Sequence, residues 1–147
     1  MNIISFNTIF GWITIKEKEN KILSVSFMKS KNKGQSLQLK KLKKNFNNYF
    51  LKKTKSFEKN FLLDGTKLQI KIWKELEKIP YGKTKSYGEI AKKVKTSPRY
   101  VGNVCGQNKH LIIIPCHRVI RSDGSFGGFS GPGGVRLKKR LLQLEKT

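Results

Sequence analysis

Cys116 and His117 stand side by side in this chain, and a thiol next to an imidazole is the raw material of an activated nucleophile. The thiolate attacks, not the thiol, so such a cysteine needs a base, and imidazole is the side chain that takes a proton near neutral pH. Adjacency is not contact, because neighbouring side chains on a regular strand point to opposite faces. The two residues can cooperate only through a distorted backbone or a bridging water, and Pro115 is able to supply the distortion. The plain alternative is a buried structural cysteine. Besides Cys116 the chain has one other cysteine, Cys105, and besides His117 one other histidine, His110. Two cysteines build no disulfide framework, and no CxxC or zinc-ligand spacing is present, so the chain reads as one from a reducing compartment with no metal site.

The elements around this pair follow from the hydrophobic pattern. Leu111-Ile112-Ile113-Ile114 is a continuous apolar run of buried-strand length that Pro115 cuts, which predicts a strand ending at the thiol. Upstream, Asp64 or Thr66 can cap a helix carrying Leu68, Ile72, Leu76 and Ile79, stopped by Pro80-Tyr81-Gly82. Ser86-Tyr87-Gly88-Glu89 has the form of a capping box and opens a helix through Ile90, Ala91 and Val94. Ser97-Pro98 then supplies a second N-cap with proline at the first helical position, opening a segment from Arg99 to Gly106. Two short helices joined by a tight turn describe a helix-turn-helix. Its second helix carries Gly102 and Asn103, although glycine costs a helix interior about 1 kcal/mol relative to alanine. Either another helix packs closely on Gly102, or something outside the chain approaches that backbone. Asp123 to Gly134 is a glycine-rich loop, and Val135 to Glu145 reads as a closing helix with Leu137, Leu141, Leu142 and Leu144.

The first 28 residues alternate in the strand manner, with Ile13 and Ile15 on one face and Trp12 and Thr14 on the other. After a polar break from Lys16 to Lys21, the run Ile22, Leu23, Val25, Phe27 resumes, and the pair predicts a β-hairpin. Leu39, Leu42, Phe46, Tyr49 and Phe50 recur at steps of three and four and predict an amphipathic helix with lysines on its wet face. The polar stretch from Lys52 to Asn60 separates this part from the rest. The reading is α+β: a small N-terminal hairpin-and-helix domain over residues 1–60, then a mostly helical domain over residues 61–147.

Composition sets the partners. The chain has 147 residues, 32 Lys plus Arg against 9 Asp plus Glu, and a formal net charge of +23. At this length it buries roughly 68–70% of its extended-chain surface, and with 37% hydrophobic residues it is no disordered basic tail. No stretch approaches the ~20 apolar residues of a membrane span, and no signal-peptide pattern opens the chain, so a cytoplasmic protein is expected. A charge this large points to nucleic acid first and anionic membrane second. Only five basic residues are arginine, and a lysine excess alongside abundant Asn and Ile is also what an AT-rich coding sequence produces. Charge suggests a partner without naming one.

The string Pro115-Cys116-His117-Arg118-Val119, with the helix-turn-helix before it and the glycine loop after it, resembles the O6-alkylguanine-DNA alkyltransferases, the methylated-DNA–protein-cysteine methyltransferases. The likeness is dense from Asp64 to Glu145. It includes Ile79-Pro80-Tyr81-Gly82-Lys83-Thr84, Ser86-Tyr87-Gly88-Glu89, Arg99, Val101-Gly102 and Asn108. Residues 1–60 match more loosely, as the family's small, ribonuclease H-like N-terminal domain. The resemblance implies that Cys116 is the nucleophile and final alkyl acceptor, with His117 its base through a water and Glu145 holding and polarising that imidazole. It implies that Tyr87 donates to the guanine leaving group and that Asn108 braces the turn between recognition helix and active-site strand. Arg99 becomes the finger that fills the gap left by an extruded nucleotide, with Tyr87, Gly102 and Asn103 at the DNA. The second helix lies in the minor groove in this family. The resemblance further implies that Val119, Ser130 and Phe129 line the base pocket, Phe129 standing where the family often has tyrosine, and the loop Gly131-Pro132-Gly133-Gly134 is slightly longer than the common form.

The function so implied is single-turnover repair of O6-alkylguanine in double-stranded DNA, with O4-alkylthymine as an alternative substrate. No cofactor, membrane or obligate protein partner is expected, and the protein is expected to be a monomer. Two other readings use the same features. A non-catalytic alkyltransferase-like protein would bind alkylated DNA without an acceptor cysteine, and Cys116 argues against it. A basic DNA-binding module would keep Cys116 buried and inert. A Cys-His hydrolase is disfavoured by the helix-turn-helix and by the lack of a separate histidine region.

Overall fold

The alternation of the first 26 residues builds three strands where a single hairpin is expected. In a computed structural model that describes residues 1–58, 60–127 and 134–146, β1 (Asn2–Thr8), β2 (Gly11–Lys18) and β3 (Lys21–Ser26) form an antiparallel meander. Phe6 pairs with Ile13, and Ile15 with Val25. Glu19 and Asn20 take φ of 51° and 65°, the paired positive values of a two-residue hairpin turn whose twist matches the strands. The polar stretch Lys16 to Lys21 is therefore the end of β2 plus this turn, not a break in the sheet.

Inside that stretch Glu17 is 3% exposed, on the same face of β2 as Ile13 and Ile15. Its carboxylate accepts from Asn2 Nδ2 at 2.9 Å, from Ser36 Oγ at 3.0 Å and from Gln38 Nε2. Burial alone raises a carboxyl pKa, but these three hydrogen bonds prevail and hold Glu17 below its usual value. Ser36 is also the N-cap of α1 (Leu37–Phe50), accepting from the Leu39 amide at 3.0 Å, so one carboxylate ties the helix start to the sheet. The buried face of α1 is the expected one: Leu39, Leu42, Phe46, Tyr49 and Phe50. Phe46 meets Phe6 at 6.4 Å and Phe57 at 4.6 Å between ring centroids, and Phe50 meets Phe10 at 5.0 Å.

The chain divides into two compact units, Met1–Leu62 with Lys109–Leu111, and Leu63–Asn108 with Ile112–Thr147. In the first, the Val25 amide donates to the Lys109 carbonyl at 2.7 Å and the Leu111 amide to the Val25 carbonyl at 3.2 Å. The apolar run Leu111 to Ile114, expected as one strand, is not one. It makes isolated bridges and a turn in which Ile112 takes φ 72°. A continuous extended strand fails here because the run straddles the two units. Its side chains are apolar because all four are buried, at 5%, 2%, 5% and 1% exposure.

The second unit starts with α2 (Lys67–Glu77), capped by Thr66 in a reciprocal box with Gln69. The helix ends at Glu77 and not at the expected Ile79, because Pro80 disfavours helical backbone at the residue before it; Ile79 is still buried. β4 (Lys85–Ser86) leads directly into α3 (Tyr87–Val94), where Ser86 accepts from the Glu89 amide at 3.0 Å; the Ser86 hydroxyl bond is the half of the expected capping box that forms. Lys95–Ser97 turns the chain, with Lys95 at φ 62°, into α4 (Pro98–Gly106), capped by Ser97 at 3.1 Å from the Tyr100 amide. Trp73 Nε1 on α2 donates to the Val104 carbonyl of α4 at 3.3 Å. β5 (Val119–Ile120) pairs in parallel with β4, Lys85 beside Val119, and α5 (Val135–Glu145) closes the unit. Among the described residues no helix is long and apolar enough to cross a membrane.

Candidate active site

The backbone distortion that Cys116 and His117 need is present, and Pro115 makes it. Pro115 has φ −80° and ψ 62°, and the Cys116 amide donates to the Ile114 carbonyl at 2.8 Å. That is an inverse γ-turn. A single 3₁₀ turn, Cys116–Arg118, follows, so the thiol and the imidazole leave a tight bend instead of alternating along a strand. Cys116 is 3% exposed, and His117 is fully buried.

Asn108 fixes the sulfur's side of the bend. Its Nδ2 donates to the Ile114 carbonyl at 2.9 Å and to Cys116 Sγ at 3.3 Å. One amide thus braces the turn and points a donor at the sulfur, where it favours the thiolate. Burial is the largest influence on Cys116 and raises its pKa; the Asn108 hydrogen bond and the charge of Lys138 work in the opposite direction without overcoming it.

His117 is held from behind. Its Nε2 lies 2.8 Å from Glu145 Oε2, and an ionised carboxylate only accepts, so Nε2 carries the proton. Nδ1 is then the basic nitrogen of the neutral ring, and it is buried with no hydrogen-bond partner among the described residues. Burial pushes the His117 pKa down, the hydrogen bond and charge of Glu145 raise it, and the net shift is downward. The ring is neutral at physiological pH, as a base must be.

Arg118 completes the cluster. Its Nε reaches Glu145 Oε1 at 2.8 Å, its Nη2 reaches Oε2 at 2.9 Å, and its Nη1 donates to the Ile79 carbonyl at 2.8 Å. A bidentate guanidinium is the strongest partner a carboxylate finds in proteins. Burial raises the Glu145 pKa, but the hydrogen bonds and charges of His117 and Arg118 hold it far below the carboxylate range. In the sequence Arg118 is legible only as a letter of the motif; its role is electrostatic. Glu145 is the last turn of α5 and the only acidic residue after Asp123, a signal that does single it out.

Tyr87 opens α3, placed by the pairing of β4 with β5 immediately after the Cys-His-Arg turn. Burial, then the nearby thiols Cys105 and Cys116, push its pKa up to about 12, so it stays a phenol able to donate. Lys138 of α5, with 0% exposure, donates from Nζ to Tyr87 Oη at 3.1 Å and lies 5.4 Å from the centre of its ring. It makes no ion pair with a carboxylate among the described residues. Burial lowers its pKa, and the thiols draw it back up. Sequence reasoning misses Lys138, although the leucine stripe of α5 at steps of three and four places position 138 inward.

Gly127 is missed as well. A Cβ there would lie 2.6 Å from Tyr87 Cε2 and 2.7 Å from Cζ, and closer still to Oη, so the loop backbone is pressed on the ring. Gly127→Ala is expected to displace the ring and to destabilise the fold by roughly 1–3 kcal/mol through overpacking. Thermal melts measure it, and an unchanged Tm would show that the ring moves aside without cost.

The remaining expected residues divide. Val119 is buried in β5. Arg99 and Asn103 are exposed on α4, and Gly102 is half-buried there. A Cβ on Gly102 would meet only Tyr87 Cε1, at 3.9 Å, so close helix packing does not require this glycine. Phe129 and Ser130 lie outside the described residues. Cys105 is buried on α4, and burial strongly raises its pKa. Among the described residues no group of three or more His, Cys, Asp or Glu side chains could hold a metal ion.

Comparison with known proteins matches residues 67–147 to the family described as "6-O-methylguanine DNA methyltransferase, DNA binding domain". The methylated-DNA–protein-cysteine methyltransferase of Mycobacterium tuberculosis is 47% identical over 85 residues, covering 56% of this chain and 50% of that protein. The protein of the same description from Sulfolobus acidocaldarius is 51% identical over 75 residues, covering 51% of this chain and 46% of its own length. The match thus spans about half the length of these curated relatives. The crystal structure of Mycobacterium tuberculosis OGT in complex with DNA superposes with a TM-score of 0.83 at 31% identity, over 98% of this chain and 92% of that one.

Proposed function

The chain belongs to the 6-O-methylguanine DNA methyltransferase family, and on that premise we propose that it repairs DNA by moving an alkyl group from guanine O6 in a duplex to the sulfur of Cys116. One observation carries the reading: a neutral imidazole, its Nε2 proton spent on Glu145 and its Nδ1 free, beside a thiol that already receives a hydrogen bond from Asn108.

The Cys116 proton passes to His117 Nδ1 through a bridging water. The thiolate attacks the alkyl carbon, forming the S–C bond as the C–O6 bond breaks, and the electron pair leaves on guanine. Tyr87, a phenol backed by the Lys138 ammonium, donates to the departing base as its charge grows. Lys138 thereby serves both ends, since its charge also eases ionisation of the thiol. Glu145 steadies the imidazolium that forms, and Arg118 keeps that carboxylate ionised and in register. The product is a thioether, which has no good leaving group, so each molecule reacts once. No cofactor enters these steps.

O6 is inside the duplex, so the base must be extruded at a cost of a few kcal/mol. In this reading α3 and α4 act as a helix-turn-helix, α4 entering the minor groove with Gly102 and Asn103 toward DNA and Arg99 filling the vacated stack. The lack of any packing reason for Gly102 supports that close approach. Degenerate minor-groove readout suits a protein indifferent to sequence context. Residues 61–147 form the DNA-binding and acceptor domain of the proposal, with Val119, Phe129 and Ser130 lining the base pocket, and residues 1–60 a companion domain of ribonuclease H-like topology.

Mixing the protein with excess O6-methylguanine duplex tests this. Methyl transfer should rise in one burst to one equivalent per protein and stop; continued turnover would contradict it. Arg99→Ala should slow transfer from duplex by about tenfold or more, the worth of about 1.4 kcal/mol of extrusion energy, yet leave reaction with free O6-methylguanine unchanged. Equal losses on both substrates would remove Arg99 from the finger role.

A further inference from the structure

We propose that the lysine face of α1 is a second, sequence-independent contact for the phosphate backbone of DNA, distinct from α4. Residues 29–55 hold ten lysines and no Asp or Glu. On α1, Lys40, Lys41 and Lys44 are all exposed, while Leu39, Leu42, Phe46, Tyr49 and Phe50 are buried. At about 100° per residue these lysines occupy the side opposite the buried stripe, with Lys40 and Lys44 in one i,i+4 row and Lys41 and Lys44 in an i,i+3 row. Like charges so placed destabilise the helix, and its first turn carries no acidic residue to offset them. The side chains of Lys40, Lys41 and Lys44 have no hydrogen bond or ion pair among the described residues, whereas on α2 and its C-cap Glu75 meets Lys78 at 2.8 Å.

The surface has shape as well as charge. Lys41 and Lys44 border a groove of about 160 Å³ whose floor is Ile22 and Leu42 and whose rim adds the amides of Gln38, Asn45 and Asn60, with one carboxylate, Glu58. The ammonium groups of Lys41 and Lys44 are the donors that can hold phosphate oxygens here without reading a base, because the amide hydrogens of Gln38 and Asn60 are already given to Glu17, Asn20 and Gln38. The occupant is the duplex backbone: a uniform polyanion matches a uniform cation row, and neutralised phosphates release counterions. Such a contact would let the protein hold undamaged DNA while its acceptor thiol is idle. The choice of DNA as the polyanion rests on the repair reading, but the contact itself does not need Cys116.

The test uses the full chain with Lys40→Gln, Lys41→Gln and Lys44→Gln combined, all at exposed positions outside the acceptor machinery. Binding to a lesion-free duplex is measured across a salt series. The slope of log affinity against log salt should become shallower by roughly 2–3, about 0.9 for each phosphate no longer neutralised. The triple lysine-to-arginine variant should restore it, and transfer from free O6-methylguanine should be unchanged. An unchanged slope in the glutamine variant overturns the proposal, as does loss of binding to phosphatidylserine vesicles with no change toward duplex. If the wild type fails to transfer methyl at all, the repair reading fails while the slope comparison still decides the lysine face.

Discussion

Cys116→Ala is expected to abolish alkyl transfer completely and to leave affinity for a damaged duplex intact. The thiol of Cys116 is the proposed nucleophile; its sulfur accepts from Asn108 Nδ2, and His117 follows it in the same 3₁₀ turn. Cys105, the other thiol, lies on α4 outside the Pro115–Arg118 turn, and burial raises its pKa strongly. The substitution removes one sulfur from a well-packed site, which costs the fold on the order of 1 kcal/mol. The residues proposed to meet DNA, Arg99 and Asn103, are exposed on α4 and undisturbed. Gel retardation and a methyl-transfer assay on one preparation separate the two properties. Residual transfer mapping to Cys105 would mean that the acceptor is misassigned.

Glu145→Ala is expected to be the most destabilising single change in the second unit. Glu145 is 3% exposed, and its removal leaves the Arg118 guanidinium and the His117 Nε2 proton without their acceptor. Breaking a buried pair from one side costs about 3–5 kcal/mol, a fall in Tm on the order of 10 °C for a chain of this size. Glu145→Gln keeps the shape and isolates the charge. The folded carboxyl is held below its unfolded value of 4.5, so its contribution is present above that pH and is lost as pH falls through the lowered folded value. The wild type should therefore lose stability on acidification below about 4.5 more steeply than Glu145→Gln, as pH-dependent thermal melts would show. For transfer, the base must be neutral, so rate is lost as pH falls through the His117 pKa. Burial places that pKa below the ordinary 6.5, and the acid limb of the rate profile should lie below that pH. Without the carboxylate the imidazole is a weaker base, and the rate should drop by about 10²-fold or more. A Glu145→Gln rate within a factor of about two of wild type would exclude base catalysis through His117.

Much of the site is legible in the sequence because its members are chemically conspicuous. Cys116 and His117 stand out as a candidate nucleophile and base, and Glu145 falls on the inward stripe of an obvious helix. Lys138 shares that stripe, but lysine on a helix is ordinarily surface, and its burial follows only from the tyrosine and thiols it faces in three dimensions. Gly127 is one glycine among several in its loop, and its close approach to Tyr87 is a tertiary fact. The same logic governs the fold. Helix starts at Thr66, Ser86 and Ser97 are visible because caps are local chemistry. Ile112 reads as strand because nothing in a β-branched residue advertises φ 72°; the backbone there is set by where the chain must turn. Glu17 reads as part of a polar break because its partners Asn2, Ser36 and Gln38 are distant in sequence.

The central claim is that the alkyl group ends on one sulfur. The direct measurement is peptide mass analysis after incubation with a duplex containing O6-methylguanine. The peptide bearing Cys116 should gain one methyl group, at one equivalent per protein, with the Cys105 peptide unchanged. An unmodified Cys116 peptide from protein that still binds the duplex would contradict the account and leave a DNA-binding module with an inert thiol.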